Sequence, residues 1–375
     1  MIPYLILLFV PLLFGCVACT VTVQERNRKW FLSVGTSKRI LNSSLMLPVF
    51  FSLLIVLLSV RHISIGNDTY NYAEFFARYI RADFSEVFKY GSDFLYWLLN
   101  WLVGKVTQNF QWFLTIVALL SVIPVAKVYC DDREYGFLKI ILFVNMSTFV
   151  MLFSGLRQVL AMAMGLVAYE FVRKKKFWWF LIFATVALGF HHSAFVVYLF
   201  YPLYHVSFKK KHLWFIVPGL LLVFIFNKPI FTWATSILNS VLGEKYAATI
   251  ENTGAYTMLI LFALFLVLAY VLPDEKKMDR ETIGLRNFLI MAVILQCFAP
   301  VHTLAMRLNY YFVIFIPVLI PKILKNTKSN YKEVAWLASI VLTAFFTVYY
   351  LYTTYVSCKT GISSLNTYPY VPFWK

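Results

Sequence analysis

The stretch ILFVNMSTFVMLFSGLRQVLAMAMGLVAYEFVRKKKFWWFLIFATVALGFHHSAFVVYLF, residues 141–200, decides the architecture. Apolar runs follow one another, parted only by SGLRQ (154–158), RKKK (173–176) and HHS (191–193). A helix crosses the ~30 Å hydrocarbon layer with ~20 mostly apolar residues. Lipid offers no partner to backbone N–H and C=O groups, so such runs must be helical. A barrel would alternate over ~10-residue segments, and these runs are continuous.

The rest of the chain reads the same way. It is 61% hydrophobic and 14% charged, with a mean hydropathy of +0.73. A soluble domain has about 45–50% apolar and about 25% charged residues. The expectation is therefore an all-α, polytopic transmembrane helix bundle with about 12 spans, forming one integral membrane domain over 1–375. The spans are read at 3–23, 41–60, 108–128, 138–154, 158–172, 177–190, 194–207, 213–227, 255–272, 287–304, 308–323 and 334–356. Residues 93–106 are too short to cross and read as an interfacial or re-entrant helix.

Basic residues orient the bundle. With the N-terminus outside, inward loops carry 23 of the 34 Lys and Arg, RKKK (173–176) and KKK (209–211) among them. Large outer loops then fall at about 61–107 and 228–254. The net charge of +17 is accounted for by this topology and by contact with anionic headgroups. Nucleic acid is not an expected partner; membrane lipid is. The five cysteines show neither metal spacing nor a disulfide framework. LFGC (13–16) superficially resembles a lipoprotein cleavage box, but the basic leader of a signal peptide is missing.

Five polar segments interrupt the apolar pattern, all on the outer side in this topology. The first is RHISIGNDTYNYAEFF (61–76), with Arg61, Asp68, Tyr72 and turn chemistry at Gly66-Asn67-Asp68. Next come SGLRQ, with Arg157 in a tight corner, and FHHSAF (190–195), with His191, His192 and Ser193. HTLAMRLNYYF (302–312) carries Arg307, and SSLNTYPYVPFWK (363–375) closes the set. Taken singly, each has an ordinary reading: a snorkelling arginine, a helix–helix histidine or an interfacial aromatic belt. Taken together, three arginines, a histidine pair and an aspartate converge on one face. Arginine's planar fork suits phosphate and pyrophosphate, and histidine accepts protons near neutral pH. A lipid-diphosphate-linked sugar is the substrate such a set would fit.

In order, these segments resemble the EpsG family, Wzy-like polymerases of bacterial O-antigens, capsules and exopolysaccharides. The resemblance rests on Arg61 followed by Gly66, Asp68 and Tyr72, and on Ser154, Gly155, Arg157, Gln158 and Ala161. It continues through Phe190, His191, Ser193 and Ala194, then Arg307, Tyr311 and Phe312, then Pro369 and Tyr370. It departs in doubling the family's single histidine; His191 occupies the F-H-x-S-A slot.

That resemblance implies a GT-C-like membrane glycosyltransferase in the bacterial inner membrane, with its site facing outward. The reaction it implies moves a growing glycan from undecaprenyl diphosphate to the non-reducing end of a new lipid-linked repeat unit, with no nucleotide sugar, metal or cofactor. A chain-length-determining co-polymerase is an implied partner. Arg157 and Arg307, with Arg61 as a third, would clamp the diphosphate, and His191 would take the acceptor's proton. Asp68 would orient that imidazole, bind sugar hydroxyls or itself act as base. Gln158, His192, Ser193, Tyr72, Tyr311 and Tyr370 would contact substrate. A flippase would need charge along a path through the membrane, and a membrane O-acyltransferase would take its donor from the cytoplasm. One-sided polar motifs favour neither.

Overall fold

The computed structural model describes residues 1–21, 45–88, 93–242 and 255–375. Among them the chain is helical, with no strand and two isolated bridges, Arg61–Pro372 and Pro273–Thr327. The basic residues Arg26, Arg28, Lys29, Lys38, Arg39, Lys89 and Lys245 lie outside the described residues. So do parts of the expected spans 3–23 and 41–60 and of both large outer loops.

The helices fall into two compact units. The first comprises Met1–Val197 and Leu337–Lys375. It holds α1 (Ile2–Val21), α2 (Met46–Ser59), α3 (Thr69–Ile80), α4 (Phe94–Val106), α5 (Phe110–Cys130), α6 (Gly136–Asn145), α7 (Ser147–Ser154), α8 (Leu156–Arg173) and α9 (Phe177–Phe190). The second, Tyr198–Trp336, holds α10 (Phe200–His205), α11 (Leu213–Ile225), α12 (Asn227–Leu242), α13 (Tyr256–Val271), α14 (Arg280–Phe298), α15 (Thr303–Val313) and α16 (Ile316–Lys325). The long α17 (Lys332–Thr360) enters the first unit at Leu337.

In the first unit α8 and α9 form a hairpin, α8 packs on α5, and α4 packs on α3 and α9. An aromatic core of Tyr72, Phe76, Tyr79, Tyr96, Trp97 and Phe113 fills the space between them. In the second unit α14 is central, packed by α10, α11, α13 and α15. Phe200 of α10 lies against Phe288 of α14 and Phe312 of α15.

Among the described residues three segments are long and apolar enough to cross a membrane: Phe110–Cys130, Arg280–Phe298 and Ser329–Thr360. Three further pairs qualify only as bent spans: α6 with α7 at 63°, the 210–225 segment with α12 at 79°, and α15 with α16 at 45°. Four shorter apolar helices add to these, among them α2, α9 and α13. The chain is thus a membrane-embedded, all-helical protein. Among the described residues three spans, or six if each bent pair is one span, reach full length, and the expected spans 138–154, 194–207 and 308–323 differ from single straight helices.

The difference has local causes. Proline lacks an N–H, and its ring strikes the carbonyl four residues back. Pro229 stands four residues after Ile225, where α11 ends, and Pro317 four after Val313, where α15 ends. The expected span 194–207 is instead a 3-10 segment, His192–Leu199, followed by the six-residue α10 with Pro202 in its first turn. Residues 138–154 break at Met146, whose φ of −88° and ψ of 147° are extended. There Asn145 Nδ2 donates to the carbonyls of Ile141 and Phe346.

Candidate active site

Asp93 organises the first unit's polar centre. It precedes α4 with φ 68° and ψ 24°, a left-handed turn uncommon for a residue with a side chain, though Asp tolerates it. The turn keeps its carboxylate in the protein, 2% exposed. Such burial requires partners, and two elements supply them. From α8, Arg157 Nη1 donates to Oδ2 at 2.9 Å. From the corner after α9, His191 Nδ1 meets the same oxygen at 3.1 Å. The backbone N–H of His192 donates to Oδ1 at 3.0 Å, and its Nδ1 lies 3.6 Å from that oxygen.

Arg157 is placed by the chain before it. α7 ends at Ser154, and Gly155 opens α8. The turn at 66–69 rests directly on this junction. Thr69 Oγ1 donates to the Phe153 carbonyl at 3.2 Å, and the Asp68 N–H donates to Ser154 Oγ at 3.3 Å. Gly66, at φ +92°, comes so close that a Cβ there would sit 1.9 Å from the Phe153 oxygen. Arg157 then stands in the first turn of α8, where helix-end N–H groups add to its positive field. Its guanidinium carbon lies 5.9 Å from the Tyr72 ring and 5.8 Å from Trp97. The side chain is 35% exposed and its Nε has no partner. One edge is therefore held while charge remains available to an anion.

The histidines are placed by the end of α9. At His191 the backbone turns extended, with φ −159° and ψ 130°, which carries its ring back to Asp93. The two imidazole centroids are 4.3 Å apart. His191 is buried, with its side chain 8% exposed, against 42% for His192. Facing a carboxylate, His191 Nδ1 carries the hydrogen, which leaves Nε2 as the free acceptor.

Both titrating groups lie outside the apolar helices. Burial alone would raise the Asp93 pKa. Hydrogen bonds from His191 and His192, then the charges of His191 and Arg157, outweigh it and hold the carboxyl well below its usual range. Burial pushes His191 below its usual value, against the opposing pull of Asp93. The cluster at neutral pH is a carboxylate, a guanidinium and a neutral imidazole. Asp93, His191 and His192 bring ligand atoms within 4.8 Å of one another, close enough for a cation. Arg157, paired to the same carboxylate oxygen, already supplies the compensating positive charge. The set offers a neutral imidazole, able to accept a proton, beside a partly exposed guanidinium.

The structure thus joins Arg157, His191, His192 and Tyr72 around a residue the sequence reading passed over. Asp93 opens an apolar stretch and belongs to no motif of the resemblance; its only signal is a carboxylate at the head of DFLYWLLNW. Asp68 meets Ser154, whose Oγ lies 3.5 Å from Asp68 Oδ2, rather than either histidine. Gln158 and Ser193 are buried beside their neighbours in the cluster. Arg61 stands apart. It is 1% exposed, donates through Nη1 to the Leu58 carbonyl at 2.8 Å, and lies 5.9 Å from the Phe153 ring. Tyr370 donates to the Leu57 carbonyl at 2.7 Å and anchors the tail. In the second unit Arg307 and the buried Tyr311 lie on α15. His302 caps that helix, its Nδ1 accepting from the Leu304 N–H at 2.9 Å.

No curated protein and no solved structure matches this chain. One family model does, the EpsG family, over residues 44–371. That range takes in Asp93, Arg157 and His191 and all five polar segments up to Tyr370. With nearly its whole length matched, the chain belongs to the EpsG family.

Proposed function

We propose that this protein is a polysaccharide polymerase, a membrane glycosyltransferase that moves a growing glycan from undecaprenyl diphosphate to the non-reducing end of a lipid-linked repeat unit. Membership of the EpsG family supports polymerisation in broad terms. The observation that carries the chemistry is the meeting of a partly exposed arginine and a buried neutral imidazole on one carboxylate. In the reaction, the acceptor hydroxyl oxygen bonds to the donor's anomeric carbon, and its proton passes to His191 Nε2. The bond from that carbon to the phosphate oxygen breaks. Its electron pair stays on the lipid diphosphate, whose charge Arg157 stabilises. Tyr72, His192, Ser193 and Gln158 would flank the sugars. Arg307, Tyr311, Arg61 and Asp68 enter this proposal on the resemblance alone.

We place the site on the outward face of the bacterial inner membrane. α8 has Arg157 at its start and Arg173 at its end, followed by Lys174–Lys176. At 1.5 Å per residue these stand roughly 24 Å apart. A basic loop drawn inward by the positive-inside rule therefore puts Arg157 and the corner at His191 at the opposite end of the hairpin. The partners would be the lipid-linked oligosaccharides, bilayer lipid and a chain-length-determining co-polymerase.

The test is reconstitution. Purified protein given lipid-linked repeat units should make longer glycans without nucleotide sugar, ATP or added metal. No extension under these conditions, with translocation of the same lipid in vesicles, would make it a flippase.

A further inference from the structure

We propose that Asp93 is a positioning residue that couples the two halves of the site: an anion bound by Arg157 loosens that arginine's hold on Asp93 and hands the carboxylate to His191. This rests on the polymerase reading above, with the donor diphosphate as the anion.

The geometry is specific. One oxygen, Oδ2, serves both Arg157 Nη1 at 2.9 Å and His191 Nδ1 at 3.1 Å, which fills its two lone pairs. The other oxygen is pinned by the His192 N–H. Asp93 is 2% exposed and opens a helix from a left-handed turn, so it stays in place while its partners share it. Arg157 is the partner that can be drawn away. Its side chain is one-third exposed, whereas that of Asp93 is 2% exposed.

Before the donor arrives, Arg157 shares Asp93 Oδ2 with His191, and its charge works against the pull of the carboxylate on the imidazole. Burial then dominates and keeps the imidazole neutral. When a diphosphate takes the guanidinium, negative charge beside His191 rises and Asp93 becomes its principal partner. Both changes favour the imidazolium that forms as the acceptor's proton arrives. The free enzyme thus holds a base that resists idle protonation, and the donor complex holds a stronger one. The charged and titratable groups around His191 are Asp93 before α4, Arg157 on α8 and His192 at its own corner; Tyr72 on α3 and Tyr96 on α4 face Arg157.

Full-length protein in lipid nanodiscs, with a synthetic lipid-diphosphate donor and a lipid-linked acceptor, is assayed between pH 5 and 8. In kcat/KM for donor, the acid limb reports the free enzyme; in kcat it reports the complex. We expect the kcat limb about one pH unit above the kcat/KM limb, the scale on which a neighbouring charge moves a pKa. The separation should persist in His192→Gln, so the neighbouring ring is not its source. Asp93→Asn should lower kcat more than it raises KM and merge the two limbs, and Asp93→Glu should restore part of the gap. A merely structural aspartate would change abundance and leave the gap. Coincident limbs in the natural protein, or a full gap in Asp93→Asn, overturn the proposal, and the first of these needs no variant to fold. Undiminished polymerisation by His191→Ala would instead sink the polymerase mechanism on which the proposal stands.

Discussion

In the proposed reaction Arg157 and His191 have different tasks and should answer differently to substitution. Arg157→Ala should cost about 10²–10³-fold in kcat, the usual loss on removing a group aimed at developing charge. Arg157→Lys should recover little, since a single ammonium cannot hold Asp93 with one edge and a diphosphate with another. Near-full activity in the lysine variant would reduce the residue to a plain positive charge. His191→Ala should cost about 10²–10⁴-fold while leaving translocation intact, so that cells display single repeat units on their surface. Loss of every surface glycan would contradict that. The acid limb of kcat/KM should fall below the ordinary imidazole value of about 6.5, because burial lowers the His191 pKa and the base works only when neutral. Gly66→Ala is a backbone test. Left-handed geometry costs a non-glycine residue about 1–3 kcal/mol, and the Phe153 oxygen leaves no room for a Cβ. A lowered Tm and lost activity are expected; an unchanged Tm would show that the turn relaxes freely. At this scale the sequence singled out Arg157 and His191, which the structure brings to one carboxylate, through short motifs with polar residues trapped between apolar runs. It did not yield Asp93, whose role depends on a turn that aims its carboxylate across 64 and 98 residues of chain.

Between the elements, the chain after α17 acts as a strap. The N–H groups of His62, Gly66, Asn67 and Phe373 pair with the carbonyls of Val371, Asn366, Leu365 and Val60. Tyr4 donates to the Thr367 carbonyl, and Tyr370 to that of Leu57. At about 0.5–1.5 kcal/mol net for each such bond, the strap stabilises the segment that seats Arg157. Deleting residues 364–375 should therefore lower the Tm and reduce polymer formation while far-ultraviolet circular dichroism keeps its helical signal; full activity would show that the 66–69 turn holds without it. The breaks between helices were half legible. Pro229 and Pro317 stand at the required distance from the ends of α11 and α15, yet Pro124 and Pro218 sit within unbroken helices. A proline offers a place for a bend, and packing decides whether it is used. The short apolar runs at 177–190 and 194–207 look alike in composition, but only the first is α-helical throughout; the second is a 3-10 segment and the six-residue α10, with Pro202 constraining where that helix starts.

For the whole molecule, hydrophobic composition was enough to read a helical membrane protein, because lipid leaves the backbone few alternatives. It could not count spans, since a bent pair and two separate helices spend the same residues. Topology is open to direct measurement. Cysteines introduced at Lys174 and Lys210 should resist a membrane-impermeant thiol reagent in intact cells, and one at Tyr70 should react; the reverse pattern would invert the bilayer placement of the site. The strap has a further consequence for how such a chain is made. Residues 365–373 leave the ribosome long after the turn at 66–69 and the junction at 153–157 have entered the membrane, and they are stitched back onto that turn at the end. A chain synthesised only as far as α10 holds every residue of the Asp93 cluster but lacks the clasp that seats it. Seating of the Asp93 cluster therefore waits, in the course of synthesis, on residues 365–373, and a chain cut short before them keeps the cluster without its clasp.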